Sequence, residues 1–275
     1  MKHLIGVRYS EDGSPELQLY AKDSREFSVL PLSKGMPLAY QLTPERYCVG
    51  YTEIDGEPHP CPFSTSLRSG SQCRYCQQDD ARLPCLKCDG SVCLADASIR
   101  ADCREQVLVV YLAGFASDIK AGVTGAHRVP LRWFEQGADF ATALFRMTDG
   151  KEARRIETLL HRKGLRNALY GKQKIKRLVF SKEKTFPAFR LKAEQILEDP
   201  DFSLFPRASA VLEFFDFSSR YPSFKEIPLV TEALQGTVVG NKGSLLFLEQ
   251  SRSIRVLEIN RLIGKKIAGQ GGLFF

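Results

Sequence analysis

The sequence predicts an α+β protein: a small antiparallel sheet flanked by helices, a cysteine-rich module, and a β module formed by the N- and C-terminal segments. Three observations carry that expectation. A β-branched apolar run, Val107 to Ala113, is followed by a turn, a second strand-like run and helix signals. All eight cysteines fall between Cys48 and Cys103. Both ends of the chain alternate short β-like runs with turn residues. The expected division is residues 1–60 for an N-terminal β segment, 61–103 for the cysteine-rich module, 104–225 for the α+β domain with a basic helical extension, and 226–275 for a C-terminal β segment packing with the first.

An apolar fraction of 43% and a charged fraction of 26% fit a folded globular chain. With 275 residues there is room for one large domain or two to three smaller ones. No apolar run approaches the roughly 20 residues needed to span a bilayer. The N-terminus, MKHLIGVRYSEDGSPE, lacks the apolar segment of a signal peptide. The expectation is a cytoplasmic protein with no membrane partner.

In chain order, Leu4 to Tyr9, a turn at Glu11-Asp12-Gly13, and Leu17 to Tyr20 read as a hairpin, with Phe27 to Leu32 and Ala39 to Leu42 as further strands. No catalytic constellation falls here. The cysteines follow: Cys48, Cys61, Cys73, Cys76, Cys85, Cys88, Cys93 and Cys103. Cys73-Arg-Tyr-Cys76 and Cys85-Leu-Lys-Cys88 are two CxxC knuckles, each directing two thiolates toward one point. In a cytosolic chain this spacing fits zinc better than disulfides, and no strand–helix frame suggests a redox pair. The minimal expectation is one zinc on Cys73, Cys76, Cys85 and Cys88, with two four-cysteine sites as the alternative and Cys93 as a further ligand. Four thiolates leave no open position, so such a zinc is structural. On the order of 10 kcal/mol from metal binding would order a segment poor in large apolar residues.

In the centre, the Val107–Ala113 run reads as a buried strand, Gly114 and Ser117-Asp118 as a turn, and Ile119 to Thr124 as an antiparallel partner. Pro130 suits the first turn of a helix carrying Arg132, Trp133 and Glu135, which Gln136-Gly137-Ala138 ends. A hairpin feeding a short helix puts Tyr111, Lys120, Gly122 and Arg132 on one small surface. Ala138 to Met147 is either a third strand or part of a helix. Lys151 to Arg162 has helical spacing, with Ala153, Ile156, Leu159 and Leu160 on one face and His161 one turn beyond Glu157.

The formal net charge is +7, yet Lys151 to Lys192 alone holds fourteen basic and three acidic residues, a local excess of +11. Such a block suggests a polyanion partner, DNA or RNA; the alternative is a solvated helix face. Candidate contacts are Arg128, Trp133, Arg154, Arg155, Lys172, Lys174, Lys176 and Arg177. Phe180, Phe186 and Phe189 among these cations either stack on bases or belong to a core. Lys192 to Glu198 reads as a helix, and Phe202 to Phe224 is aromatic-rich. Gly236–Val239 and Leu245–Leu248 read as a hairpin about Gly240-Asn241-Lys242-Gly243. Arg255–Ile259 and Ile263–Ile267 read as strands, and Ala268–Phe275 as a Gly-rich tail.

The order Tyr111, turn, Lys120-x-Gly122-x-Thr124, then Arg132 on the next helix resembles the GIY-YIG nuclease superfamily, in the branch with Lys in place of the second tyrosine. The fuller string, Lys120-x-Gly122-Val123-Thr124 with Pro130-x-Arg132-Trp133-x-x-Gln136-Gly137-Ala138, resembles a narrower family, a domain of unknown function with cysteines upstream. The superfamily resemblance implies a divalent-metal-dependent phosphodiester endonuclease. In it Glu157, on a later helix, holds Mg²⁺ or Mn²⁺, and Arg132 neutralises the phosphoryl oxygens. Tyr111, its pKa lowered by nearby cations, orients water or acts as general base. Lys120 lowers that pKa or contacts the phosphate. The Lys120–Arg132 interval is two residues longer than the superfamily's, so Arg128 competes for the arginine role, and Asn167 is the candidate for a late asparagine. The alternative is a non-catalytic, zinc-containing DNA/RNA- or ribonucleoprotein-binding protein on the same scaffold. A protein-interaction module is the third reading. Oligomeric state is left open by the sequence.

Overall fold

The computed structural model describes residues 1–269, so from residue 270 onward the expected Gly-rich tail lies outside the described residues. The chain divides into two compact units. One comprises Met1–Leu83 together with the chain from Pro228, the other Pro84–Ile227. The boundary falls inside the 61–103 stretch expected to form one module, so the cysteines are shared between the units.

In the first unit, strands from both ends of the chain build one nine-stranded sheet. Across the sheet run Leu229–Val230, Ser253–Glu258, Leu245–Gln250, Leu234–Lys242, Pro37–Leu42, Lys266–Gly269, Lys2–Tyr9, Pro15–Ala21 and Glu26–Pro31. All neighbours are antiparallel except Leu229–Val230 with Ser253–Glu258. The small sheet expected from the sequence is therefore accompanied by a larger one. Period-two patterning explains the N-terminal half: along Pro15–Ala21 alternate residues are buried, including Leu17 and Leu19. With Leu4, Leu38, Leu246, Leu248 and Leu257 they form one apolar core. The expected strand at Ile263–Ile267 starts only at Lys266. Before it, Ile259–Leu262 winds into a 3₁₀ turn, which buries Ile259 and Leu262 three residues apart.

The second unit is organised on a four-stranded antiparallel sheet, ordered Asp118–Gly125, Leu108–Phe115, Phe140–Met147 and Phe215–Asp216. Leu108–Phe115 is buried along its whole length, as its unbroken apolar run requires. The segment Ala138–Met147 resolves as a strand over Phe140–Met147. The helix Gly150–Arg162 is capped by Asp149, whose carboxylate accepts from Lys151 N at 2.8 Å. It lays Ala153, Ile156 and Leu160 on Leu108, Val110 and Leu112.

Pro130 is the N-cap of the Leu131–Gln136 helix rather than a residue of its first turn, and the Val129–Pro130 peptide is cis. Gly137 closes that helix in the left-handed region, its N–H donating to Phe134 O. The helix read at Lys192–Glu198 begins ten residues earlier, spanning Lys182–Glu198 with Pro187 inside it. Burial of Phe189, Ala193 and Ile196 outweighs the lost backbone bond. Phe180, Phe186 and Phe189 all lie against Phe140, at ring-centroid distances of 6.1, 4.9 and 5.9 Å. They are core contacts, not a platform for bases.

Candidate functional site

Two clusters of reactive side chains stand out, one in each unit. In the first unit Cys48, Cys61, Cys73 and Cys76 bring their sulfurs within 4.8 Å of one another. Two short hairpins do this. Arg46–Tyr47 pairs with Ser66–Leu67, and Tyr51–Thr52 with Pro58–His59, so that Cys48 and Cys61 meet. Cys73 then stands at the N-cap position of the Arg74–Asp79 helix, with Cys76 in its first turn. The four are nearly withdrawn from water, at 1%, 9%, 9% and 0% exposure.

Their electrostatics are those of an incomplete charge balance. Burial pushes the Cys48 and Cys76 thiols up. At Cys61 the same burial is outweighed by the backbone N–H groups of Thr65 and Phe63 and the Thr65 hydroxyl, which bring it down to about 7. Cys73 is likewise lowered, against its burial, by the Cys76 backbone and neighbouring thiols. Backbone donors reach the cluster directly, Cys73 N to Cys48 Sγ at 3.1 Å and Gly50 N at 3.5 Å. Four such thiols cannot all ionise side by side without a cation. The group can hold a metal ion, and an all-sulfur tetrahedral shell is compatible with zinc. This corrects the expected ligand set: Cys73 and Cys76 pair with Cys48 and Cys61, whereas Cys85 and Cys88 lie beyond the boundary in the second unit. Strand pairing, which local CxxC spacing does not reveal, chose the partners.

In the second unit the hairpin register places Tyr111 opposite Gly122 and Ala113 opposite Lys120. Alternation then puts Tyr111 and Lys120 on one face of the sheet. The Tyr111 ring is buried, at 1% exposure. Its hydroxyl accepts a hydrogen bond from Gln136 Nε2 at 2.5 Å and a second from Arg132. Glu157 lies within electrostatic reach of Tyr111, Lys120 and His161. The structure thus brings Tyr111, Lys120, Arg132 and Glu157 into one neighbourhood and adds Arg154 and His161.

Burial, reinforced by Arg132 and Arg154, brings the Lys120 ammonium down to about 8 despite the pull of Glu157. Burial likewise holds His161 below the ordinary imidazole value, and its buried Nε2 has no protein partner. Tyr111 departs from expectation. Burial raises its pKa, and the opposing Arg132 and Gln136 do not reverse that, so the phenol stays protonated. Glu157 accepts from Arg154 Nη1 at 2.7 Å on its own helix. Arg128 and Arg132 both bond Glu135, each to its own oxygen, at 2.6 and 2.8 Å, and of the two it is Arg132 that also reaches Tyr111.

The remaining expected contacts separate by exposure. Trp133 is buried at 1% between Tyr111, Phe215 and Phe217, out of reach of a nucleobase. Arg155 is exposed and paired with Glu152. Lys174 donates to Gln136 O at 2.7 Å and lies over the Phe115 ring. Arg177 shares Asp118 with Arg166. Lys172 and Lys176 are exposed at the Gly171–Ile175 helix, and Asn167 is exposed in the loop before it. Glu135 and Gln136, read from the sequence only as helix residues, join the site through Arg132 and Tyr111. Their spacing from Arg132, i+3 and i+4 on one short helix, is the signal that could have found them.

These features define a two-unit α+β protein with a four-cysteine cluster in one unit and a buried tyrosine among cations and two carboxylates, Glu135 and Glu157, in the other. No helix among the described residues is long and apolar enough to cross a membrane. The chain belongs to the family described as "Protein of unknown function (DUF2797)", whose model matches residues 35–267. No curated protein and no solved structure matches it.

Proposed function

We propose that the second unit binds a nucleic-acid phosphodiester and cleaves it at a GIY-YIG-like site, while the first unit is held by a structural zinc on Cys48, Cys61, Cys73 and Cys76. The observation that carries this reading is the meeting of Tyr111, Lys120, Arg132 and Glu157, drawn from a 47-residue stretch of chain, in a single electrostatic neighbourhood. The element order around them supports it: hairpin, short arginine-bearing helix, third strand, then the helix of Glu157.

Lys120, Arg128, Arg132 and Arg154 against the carboxylates Glu135 and Glu157 give the cluster a positive balance suited to a phosphate. Arg132 can present its planar fork to two phosphoryl oxygens, which a lysine cannot do. Tyr111, protonated and already accepting from Gln136 and Arg132, has its own proton to donate. With its ring 1% exposed, it would steady Arg132 for the phosphate rather than remove a proton itself. Lys120, poised near 8, is the better group to exchange a proton at neutral pH. Glu157 is the carboxylate that would hold Mg²⁺ or Mn²⁺, a cation usually bound by one or two carboxylates together with substrate phosphates. Such an ion would polarise the scissile phosphate and its leaving oxygen. To take it, Glu157 must leave Arg154, which is then released toward the phosphate.

The Arg154–Glu157 pair also favours a second reading, in which the scaffold binds DNA, RNA or a ribonucleoprotein without turnover. Incubation with single-stranded and branched DNA and RNA, with Mg²⁺ or Mn²⁺, separates the two. Cleavage is expected to require the divalent cation and to vanish in Arg132→Ala and Glu157→Gln. Nicking that survives both substitutions overturns the site. Salt-sensitive binding without nicking establishes the second reading.

A further inference from the structure

We propose that Cys85, Cys88, Cys93 and Cys103 form a second four-thiolate zinc site, separate from the first and seated on the N-terminal end of the Gly150–Arg162 helix. The eight cysteines divide four and four between the two units. Cys73 and Cys76 have their partners in the first unit, so the Cys85–Cys88 knuckle needs others. The second unit holds two more, Cys93 and Cys103.

Residues 84–98 have no core of their own. Leu86, Val92 and Leu94 are 76%, 64% and 78% exposed, and Ile99 is the first buried apolar side chain beyond them. Nevertheless the segment is fastened to a defined place. Thr158 Oγ1 donates to Asp89 O at 2.9 Å. Gly90 lies so close to the helix that a Cβ there would be 2.5 Å from Arg155 N and 2.6 Å from Lys151 O. Arg100 donates to Cys93 O at 3.0 Å. In small cysteine-rich segments without a core, metal binding can supply the ordering free energy that a few backbone contacts do not.

Of the four, Cys103 is fixed against the Gly150–Arg162 helix. That residue sits in the Ala97–Glu105 helix, its sulfur so near Gly150 that a Cβ at 150 would be 2.2 Å from it. Cys85, Cys88 and Cys93 are all within electrostatic reach of Cys103. Cys88 N bonds Cys85 O at 3.4 Å, closing the knuckle turn. Arg100 and Lys151 beside Cys93 would offset the negative charge of a four-thiolate centre. Among the described residues only the first cluster is drawn within 4.8 Å, so ion binding is expected to pull the Leu83–Leu86 turn toward Cys103. Binding releases the four thiol protons to solvent and leaves Zn²⁺ with four thiolates, a net charge of −2 on the centre.

The test uses the purified full-length chain and does not depend on any nuclease or binding activity. Elemental analysis is expected to give two zinc ions per chain. Cys88→Ser with Cys93→Ser should lower this to one, as should Cys48→Ser with Cys76→Ser. Cobalt substitution of the wild-type chain should give tetrahedral thiolate bands at twice the one-site intensity. Where a variant fails to fold, alkylation of the native wild-type chain decides the matter. Protection of Cys85, Cys88, Cys93 and Cys103 until a chelator is added supports the site. One zinc per chain with those four thiols alkylated at once overturns it. So does their protection without a second metal ion, as disulfides would give.

Discussion

Gly122 faces Tyr111 across the hairpin so closely that a Cβ at position 122 would lie 2.5 Å from the tyrosine hydroxyl. The ring occupies the space that any side chain at 122 would need. Its hydroxyl in turn is held by Gln136 and Arg132, so displacing it disturbs the whole cluster. Gly122→Ala is expected to destabilise the second unit by about 1–3 kcal/mol, the usual range for overpacking a close-fitted interior. Urea unfolding followed by tyrosine and tryptophan signals measures it. A variant as stable as the wild type would show that the ring has room to move.

Removing the first-cluster metal should loosen a particular part of the chain. Chelation, or Cys76→Ser, is expected to remove one zinc and to abolish amide protection at Cys48 and Val49, whose N–H groups bond Thr65 O and Ser71 O. The hairpins there are only two residues long on each side and cannot persist alone. Hydrogen exchange with and without chelator reads this directly. Unchanged protection in the metal-free chain would rule out a stabilising role for the ion.

Lys120 should leave a pH signature of defined sign. Its ammonium is held down to about 8, whereas in the unfolded chain a lysine titrates near 10.4. Below about pH 8 the charged group carries its full burial penalty. Between the two values the unfolded state binds more protons, so this penalty is relieved as pH rises. Lys120→Met is therefore expected to be more stable than the wild type at pH 7, with the difference closing by about pH 10. Wild-type affinity for nucleic acid should fall as pH passes about 8. A stability gap that is flat with pH would mean the amine keeps its ordinary value.

The exposed cations should differ from the paired ones. Lys172→Ala and Lys176→Ala are each expected to reduce the salt slope of nucleic-acid binding by about one, if the phosphate backbone lies along the Gly171–Ile175 helix. Arg177, engaged with Asp118, should change the slope less. Titrations at four or five salt concentrations give the slopes. Equal effects from all three positions would place the nucleic acid elsewhere.

What could be read from the chain beforehand was mostly local. The Leu108–Phe115 strand, the Gly137 helix end and the Ala153–Ile156–Leu160 face follow from periods of two and 3.6 and from glycine's left-handed freedom, all properties of neighbours in sequence. The placement of Cys48 and Cys61 beside Cys73 was hidden because it depends on the pairing of two-residue strands, Arg46–Tyr47 with Ser66–Leu67 and Tyr51–Thr52 with Pro58–His59, which leave no periodic signal. Pro187 concealed the first half of the Lys182–Glu198 helix, since proline ordinarily ends one. The state of Tyr111 was misjudged for a related reason. The sequence shows that cations are near the tyrosine, but not how completely the ring is withdrawn from water, and withdrawal proves the stronger influence.

The strand Lys266–Gly269 lies between Pro37–Leu42 and Lys2–Tyr9, an inner member of a sheet whose other half is made first. A ribosome would therefore release the Pro84–Ile227 unit to fold while the opening strands still wait with exposed edges for a partner yet to be translated. Premature termination shortly before Lys266 would strand those edges permanently, leaving a product open to aggregation and quality-control proteases even though every residue of the cluster from Tyr111 to Glu157 had been made.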